Sequence, residues 1–236
     1  VGAGTEIALR AALQDAGWRD AEIIDAAAFA DRFAVVSVTH RAADADCGGA
    51  VDLLAWERGL ADAREALQVL RLEDALAGFV ARELDVPCLA NPPAQVDLLR
   101  LELGLATAHR YLSIERAGDT DSARVHRAEF EAAVDRAVAF GHGLAGPADV
   151  DPDVDRAWTR ARADTETIGI LVAGSGQARV DGRPLARGVL EAPVGGHLIQ
   201  AVDGPTVVAA SLVEASPSQD LLVWVDPGGQ ARWPAD

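Results

Sequence analysis

Apolar residues fall into two regimes along the chain. From Val51 to about Ala163 the spacing is helical throughout. Leu53, Trp56, Leu60, Ala63, Leu67 and Leu70 step by three and four, which marks one face of a helix. Leu72, Leu76, Phe79 and Leu84 continue on a second helix, stopped by Pro87. Pro92-Pro93 opens a third, with one stripe of Leu98, Leu101, Leu105, Ala108 and Leu112 and another of Val96, Leu99, Leu103 and Ala106. A helix apolar on two sides is predicted to be sandwiched between neighbours in a stacked array. After a turn at Gly118-Asp119, Ser122 is the expected cap of a fourth helix with Val125, Phe130, Val134, Ala137 and Val138, ended by Gly141. A short fifth helix is predicted near Pro152–Ala163.

At Thr165 the period changes to two. Ile168–Val172, Gln177–Val180, His197–Val202, Thr206–Val213 and Leu221–Val225 read as strands between Gly-rich turns. Asp181-Gly182 is the strongest hairpin signal among them. Many short strands with regular turns predict a small antiparallel β-sandwich. Before the helices, Thr5 caps a candidate helix carrying Ile7, Leu9, Ala12 and Leu13 and ended by Gly17. Glu22–Asp25 and Phe33–Val38 read as short strands with a helical Ala26–Asp31 between them. The fold class expected is therefore α+β and multidomain: a short α/β segment over 1–46, helical hairpins over 47–163, and a β-sandwich over 164–236.

Composition narrows the functions. The 236 residues carry 37 acidic against 21 basic side chains, a net charge of −16, and every basic residue is Arg. Such a surface repels phosphate backbones and anionic lipid, so neither nucleic acid nor a membrane surface is an expected partner. No uncharged apolar run approaches the ~20 residues of a membrane span. The two cysteines, Cys47 and Cys88, are 41 positions apart. They flank the first helical hairpin at its open end, where a bridge is sterically feasible. A disulfide is expected over two buried thiols, and with it an oxidising compartment, the periplasm or cell surface.

The hairpins resemble tetratricopeptide repeats: Ala75, Phe79 and Pro87 stand at the second-helix signature and Ala63 at the small position of the first helix. Arg82 departs from that pattern where a small residue is usual. The strand region resembles a PEGA-type domain more closely. Gln177-Ala178-Arg179-Val180-Asp181-Gly182-Arg183-Pro184-Leu185 is similar to its V-x-V-D-G-x-x-L hairpin, and Ala192–Gln200 to its P-x-G-x-H-x-V segment, although the P-E-G-A tetrapeptide itself is missing. The combination is similar to envelope proteins of GC-rich, myxobacteria-like Gram-negative bacteria. The resemblance implies helices that bind protein and a β-domain that binds protein or a surface polymer.

Candidate chemistry is sparse. Asp149, Asp151 and Asp153 resemble the start of a calcium loop, but Val154 stands at the required Gly and Arg160 at the required Glu, so helix capping is the better reading. Gly174-Ser175-Gly176 lacks the sequence of a phosphate loop or a nucleophile elbow. His40, His109, His126, His142 and His197 are scattered, and His109 meets His126 only if the third and fourth helices pack at that level. Trp18, Trp158, Trp224 and Trp233 lie outside the clean helical stripes, and Thr206–Val213 is almost uninterruptedly apolar. Trp224, Trp233, Val208 and Leu212 are thus the candidate partner surface. The expected function is a non-enzymatic envelope scaffold without cofactor or metal. Its expected partner is protein, chiefly further copies of itself in a homo-oligomer, either ring or filament. Binding of carbohydrate or peptidoglycan through the β-domain, or an enzyme site assembled from distant residues, are the alternatives.

Overall fold

A computed structural model describes residues 26–38, 47, 49–174, 177–185 and 189–225. The expected helix ended by Gly17, the strand Glu22–Asp25, Trp18, His40 and Trp233 lie outside them. Helix α1 (Ala26–Arg32) leads into strand β1 (Phe33–Val38). Five longer helices follow: α2 (Leu53–Gln68), α3 (Leu72–Asp85), α4 (Gln95–Glu115), α5 (Thr120–Phe140) and α6 (Pro152–Asp164). Seven strands complete the order: β2 (Thr167–Gly174), β3 (Gln177–Val180), β4 (Arg183–Leu185), β5 (Val189–Pro193), β6 (Gly195–Asp203), β7 (Thr206–Ala215) and β8 (Asp220–Val225).

Helix α2 starts where the Asp52 carboxylate accepts the Ala55 N–H at 2.8 Å, and it buries Trp56, Leu60, Ala63 and Ala66 against α3. Its end is a paired turn: Arg71 N–H donates to Ala66 C=O at 2.9 Å and Leu70 N–H to Leu67 C=O at 3.0 Å. Leu70 takes the left-handed position of that turn, with φ of 58°, and its side chain is 68% exposed. The apolar stripe read for α2 therefore stops short of Leu70. Leu84 and Val125, expected on the packed faces of α3 and α5, are exposed as well. Their neighbours Ala75 and Phe79, and Ala133, Val134 and Ala137, carry the packing instead.

Small residues set the spacing of the helices. A Cβ at Gly78 would lie 2.8 Å from the Ala63 Cβ, so the α2–α3 crossing tolerates no larger pair. Gly59 leaves the space that the Arg82 guanidinium occupies; Arg82 pairs with Asp85 at 3.0 Å, and its carbonyl accepts the Trp56 indole N–H at 2.8 Å. Phe79 of α3 packs on Gly104 of α4, where a Cβ would come within 2.5 Å of the ring. Both stripes of α4 are covered, as its two-sided pattern predicts, and Leu98, Leu99, Leu101, Leu103, Leu105, Ala106, Ala108 and Leu112 are all buried. The cap of α5 is Asp119, one turn before the expected Ser122: its carboxylate accepts the Ser122 N–H at 3.3 Å, so Ser122 is the residue being capped.

The strands form two four-stranded sheets, ordered β1-β8-β2-β5 and β4-β3-β6-β7. The second is antiparallel throughout, as expected. The first is mixed: β8 runs parallel to β1 on one side and to β2 on the other, and only β5 is antiparallel. Strand alternation reports which faces are buried, not the direction of the partner, and the parallel β1–β8 pair is closed across the whole helical region. Val38, Ile168, Ile170, Val180, Ile199, Val213, Leu221 and Val223 of the two sheets share one buried cluster. Strand β1 of the N-terminal segment is thus part of the C-terminal core.

Helices and sheets meet along the α3–α4 connection. Val207 N–H donates to Ala90 C=O and Asn91 Nδ2 to Pro205 C=O, both at 2.8 Å. Leu198 of β6 belongs to the helical core. The β3–β4 hairpin turns on Asp181 (φ 51°) and Gly182 (φ 76°), and a Cβ at 182 would lie 2.5 Å from the Pro93 carbonyl oxygen. Cys47 and Cys88 form a disulfide with Cα atoms 5.6 Å apart. Beside it Val51 N–H donates to Cys88 C=O and Ala90 N–H to Val51 C=O, both at 2.8 Å, so the bridge staples the open end of the α2–α3 hairpin.

Candidate functional site

The Asp run is occupied by the protein itself. Asp151 caps α6: its Oδ1 accepts the N–H of Asp153 at 2.9 Å and of Val154 at 3.2 Å. Its Oδ2 accepts the Tyr111 hydroxyl at 2.8 Å, which raises the Tyr111 pKa above its ordinary value. Asp149 is paired with Arg64, and Asp153 with both Arg110 and Arg156. A cation at this loop would have to displace three guanidinium groups. The carboxylates are spent on holding α6 to α2 and α4.

The expected partner surface is dispersed. Trp224 is half-buried on β8, an inner strand of its sheet, with Leu221, Leu222, Val223 and Val225 buried around it. Val208 is half-buried against the sheet core, and Leu212 is 55% exposed. Trp158 is no surface group: it is buried, donates its indole N–H to Ala137 C=O at 3.1 Å, and lies under the Arg162 guanidinium. Strand β7, which carries Val208 and Leu212, ends its sheet. Beyond the Val207–Ala90 bond, residues 208–215 have no backbone partner on the side away from β6 among the described residues.

Two buried ionic pairs escape a reading of the sequence alone. Glu102 of α4 is 1% exposed, and its Oε2 accepts the Arg136 Nε–H of α5 at 2.9 Å, while Arg136 also reaches Glu83 of α3 at 3.1 Å. Burial pushes the Glu102 carboxyl up to about 8 against the opposing pull of Arg136. In the sheet region the His197 Nδ1 lies 2.7 Å from Asp181 Oδ2 and its Nε2 lies 2.8 Å from the Pro193 carbonyl. Both partners are acceptors, so both nitrogens donate and the ring is an imidazolium. Burial opposes that charge, but the Asp181 hydrogen bond and carboxylate, with the Pro193 carbonyl, outweigh it and raise the His197 pKa. Asp181 Oδ1 accepts the Leu198 N–H at 2.9 Å, so the pair ties the β3–β4 turn to β6. The clue to Glu102 is a carboxylate set between Leu101 and Leu103 of the two apolar stripes of α4. The Asp181–His197 pairing depends on strand register and left no local signal.

His109 and His126 do meet, because α4 and α5 pack side by side: their Nδ1 atoms are 3.1 Å apart. Burial first, then the neighbouring positive groups, lower both pKa values. An open cleft of about 480 Å³ is rimmed by Asp135, Asp164, Glu166 and Glu214. The Thr165 hydroxyl that lines this cleft donates to Ala161 C=O at 2.6 Å, and the pair most like a catalytic dyad, His197–Asp181, is sealed from solvent. No group of three or more metal-ligating side chains occurs among the described residues, and no helix there is long and apolar enough to cross a membrane. Compared with known proteins, the chain matches no family model, no curated protein and no solved structure.

Proposed function

We propose that the chain is a non-catalytic, exported contact protein that assembles with further copies of itself, its TPR-like hairpins and PEGA-like sandwich serving as a scaffold in a bacterial envelope. The observation that carries this reading is the position of β7. It is ten residues long with Glu214 as its one charge, it stands at the end of its sheet, and Leu212 on it is 55% exposed. A long, nearly uncharged edge is a template for another strand, and natural monomers blunt such edges with charge, Pro or a cover. Exposed Leu54 and Leu84, at the open end of the α2–α3 hairpin, add apolar surface of the same kind. The disulfide supports an oxidising compartment.

Sedimentation of the oxidised chain at micromolar concentration tests this. Species above 24.6 kDa that grow with concentration are expected, and Leu212→Lys is expected to return the protein to the monomer. A single monomeric species at every concentration overturns self-assembly.

A further inference from the structure

We propose that His109 and His126 form a binding site for a divalent transition metal of the imidazole-favouring class, represented by zinc. The two rings stand at the same level of the α4–α5 hairpin, on either side of the turn that ends at Asp119, with their Nδ1 atoms 3.1 Å apart. Zinc–imidazole bonds of about 2.0–2.1 Å to both nitrogens at that separation subtend roughly 100°, between a square and a tetrahedral angle. The ring centroids are 5.3 Å apart and the planes tilted by 42°, so the rings now meet almost nose to nose. One Nδ1 carries the proton of this hydrogen bond, so metal binding moves that proton to Nε2 and turns the rings about χ2, a torsion with a broad well, until both Nδ1 lone pairs aim at one point.

An imidazole binds metal through an unprotonated nitrogen, and the two Nδ1 atoms face one another across the helix pair. Glu129, one turn beyond His126, places negative charge near both rings. The two nearby cations are engaged elsewhere: Arg116 by Glu73 and the Ser122 hydroxyl, Arg136 by Glu102 and Glu83. His126 is half-buried and faces solvent, so water completes the coordination sphere. With two protein ligands the site is exchangeable, and a bound metal would clamp α4 to α5.

The full chain titrated with zinc chloride at pH 7.5 by calorimetry should bind one equivalent, with half-saturation at micromolar metal and a higher melting temperature. His109→Gln and His126→Gln, checked for folding by circular dichroism, should each abolish the binding, and His142→Gln should not. In the unsubstituted chain, imidazole nitrogen resonances of His109 and His126 should shift on zinc addition. Absence of binding overturns the proposal. So does binding that survives both substitutions or is lost in His40→Gln, and so do unshifted nitrogen resonances.

Discussion

The helical and strand regions solve the same packing problem with different materials. Around α4 the interior is built from large side chains, with Trp56, Phe79, Trp158 and a row of leucines among the most deeply buried. Between the sheets it is built from alanine, valine and isoleucine with Leu221, and among the described residues no aromatic ring belongs to that cluster. Each region also hides one ionic pair, and these differ in the same sense. Glu102 is sealed, but its partner Arg136 keeps 32% of its side chain in solvent. His197 and Asp181 are 0% and 1% exposed and hold each other with a carbonyl and a backbone N–H. The helices concentrate stability in a few bulky contacts. The sheets spread it over strand register and one closed polar knot.

Truncation should break the symmetry most visibly. Phe79→Ala empties the space over Gly104 and is expected to cost about 3–5 kcal/mol, whereas Ile199→Val between the sheets should cost about 0.5–1.5 kcal/mol. Urea midpoints of the two variants read the contrast. Equal losses would mean that the sheet core is as concentrated as the helical one.

The disulfide sharpens the comparison, because it closes 41 residues around the α2–α3 hairpin and meets the sheets only where the Val86–Cys88 turn lies against β7 among the described residues. Its loss through Cys47→Ser with Cys88→Ser is expected to cost about 2–4 kcal/mol. Hydrogen exchange should show the loss first in α2 and α3. Free-thiol titration of the unfolded, unreduced chain should find no thiol; two reactive thiols would remove the bridge from this account.

The two ionic pairs predict a common pH dependence. The Glu102 carboxyl rises from an ordinary 4.5 to about 8, so its share of stability is full below pH 4.5 and is lost as pH climbs to 8. His197 is raised above 6.5, so its share is full below 6.5 and is lost as pH passes the folded value. His109, His126 and His142 are lowered and act below 6.5, where they make stability rise with pH. Between pH 6.5 and 8 the two buried pairs therefore dominate, and the urea midpoint should fall. Glu102→Gln should flatten the part of the fall contributed by the helices and leave the His197 part. An unchanged slope in that variant would shift the whole effect to the sheet region.

These differences also decide what the sequence could disclose. The helices were legible because their packing is local: the two-sided stripe of α4, the Asp151-Pro152 start of α6 and the glycine after α5 are all written within one or two turns. The sheets were legible only as strands. The parallel alignment of β1 with β8 joins positions 33–38 to 220–225, and β4 and β5 are too short and too close to Pro184 and Pro193 to show a period. The polar groups followed the same division. The capping role of Asp151 could be read from its neighbours, while Glu102–Arg136 and Asp181–His197 required contacts across the fold.

The smallest expected effect is a gain, and it lies at the junction of α2 and α3. Leu70 holds the left-handed position that closes α2, where a side chain bearing a Cβ is strained by roughly 1 kcal/mol or more. Its side chain is 68% exposed, so little packing is forfeited by removing it. Leu70→Gly keeps the two closing hydrogen bonds, Arg71 to Ala66 and Leu70 to Leu67, and relieves the strain at the cost of some unfolded-state entropy. The urea midpoint of the monomeric Leu212→Lys background should therefore rise by the equivalent of about 0.5–1 kcal/mol. If Leu70→Gly instead weakens association of the otherwise unsubstituted chain in sedimentation while stabilising that background, the helical tip contributes to the contact between copies alongside β7. A fall in the midpoint would mean that the Leu70 side chain supports the hairpin more than its exposure suggests.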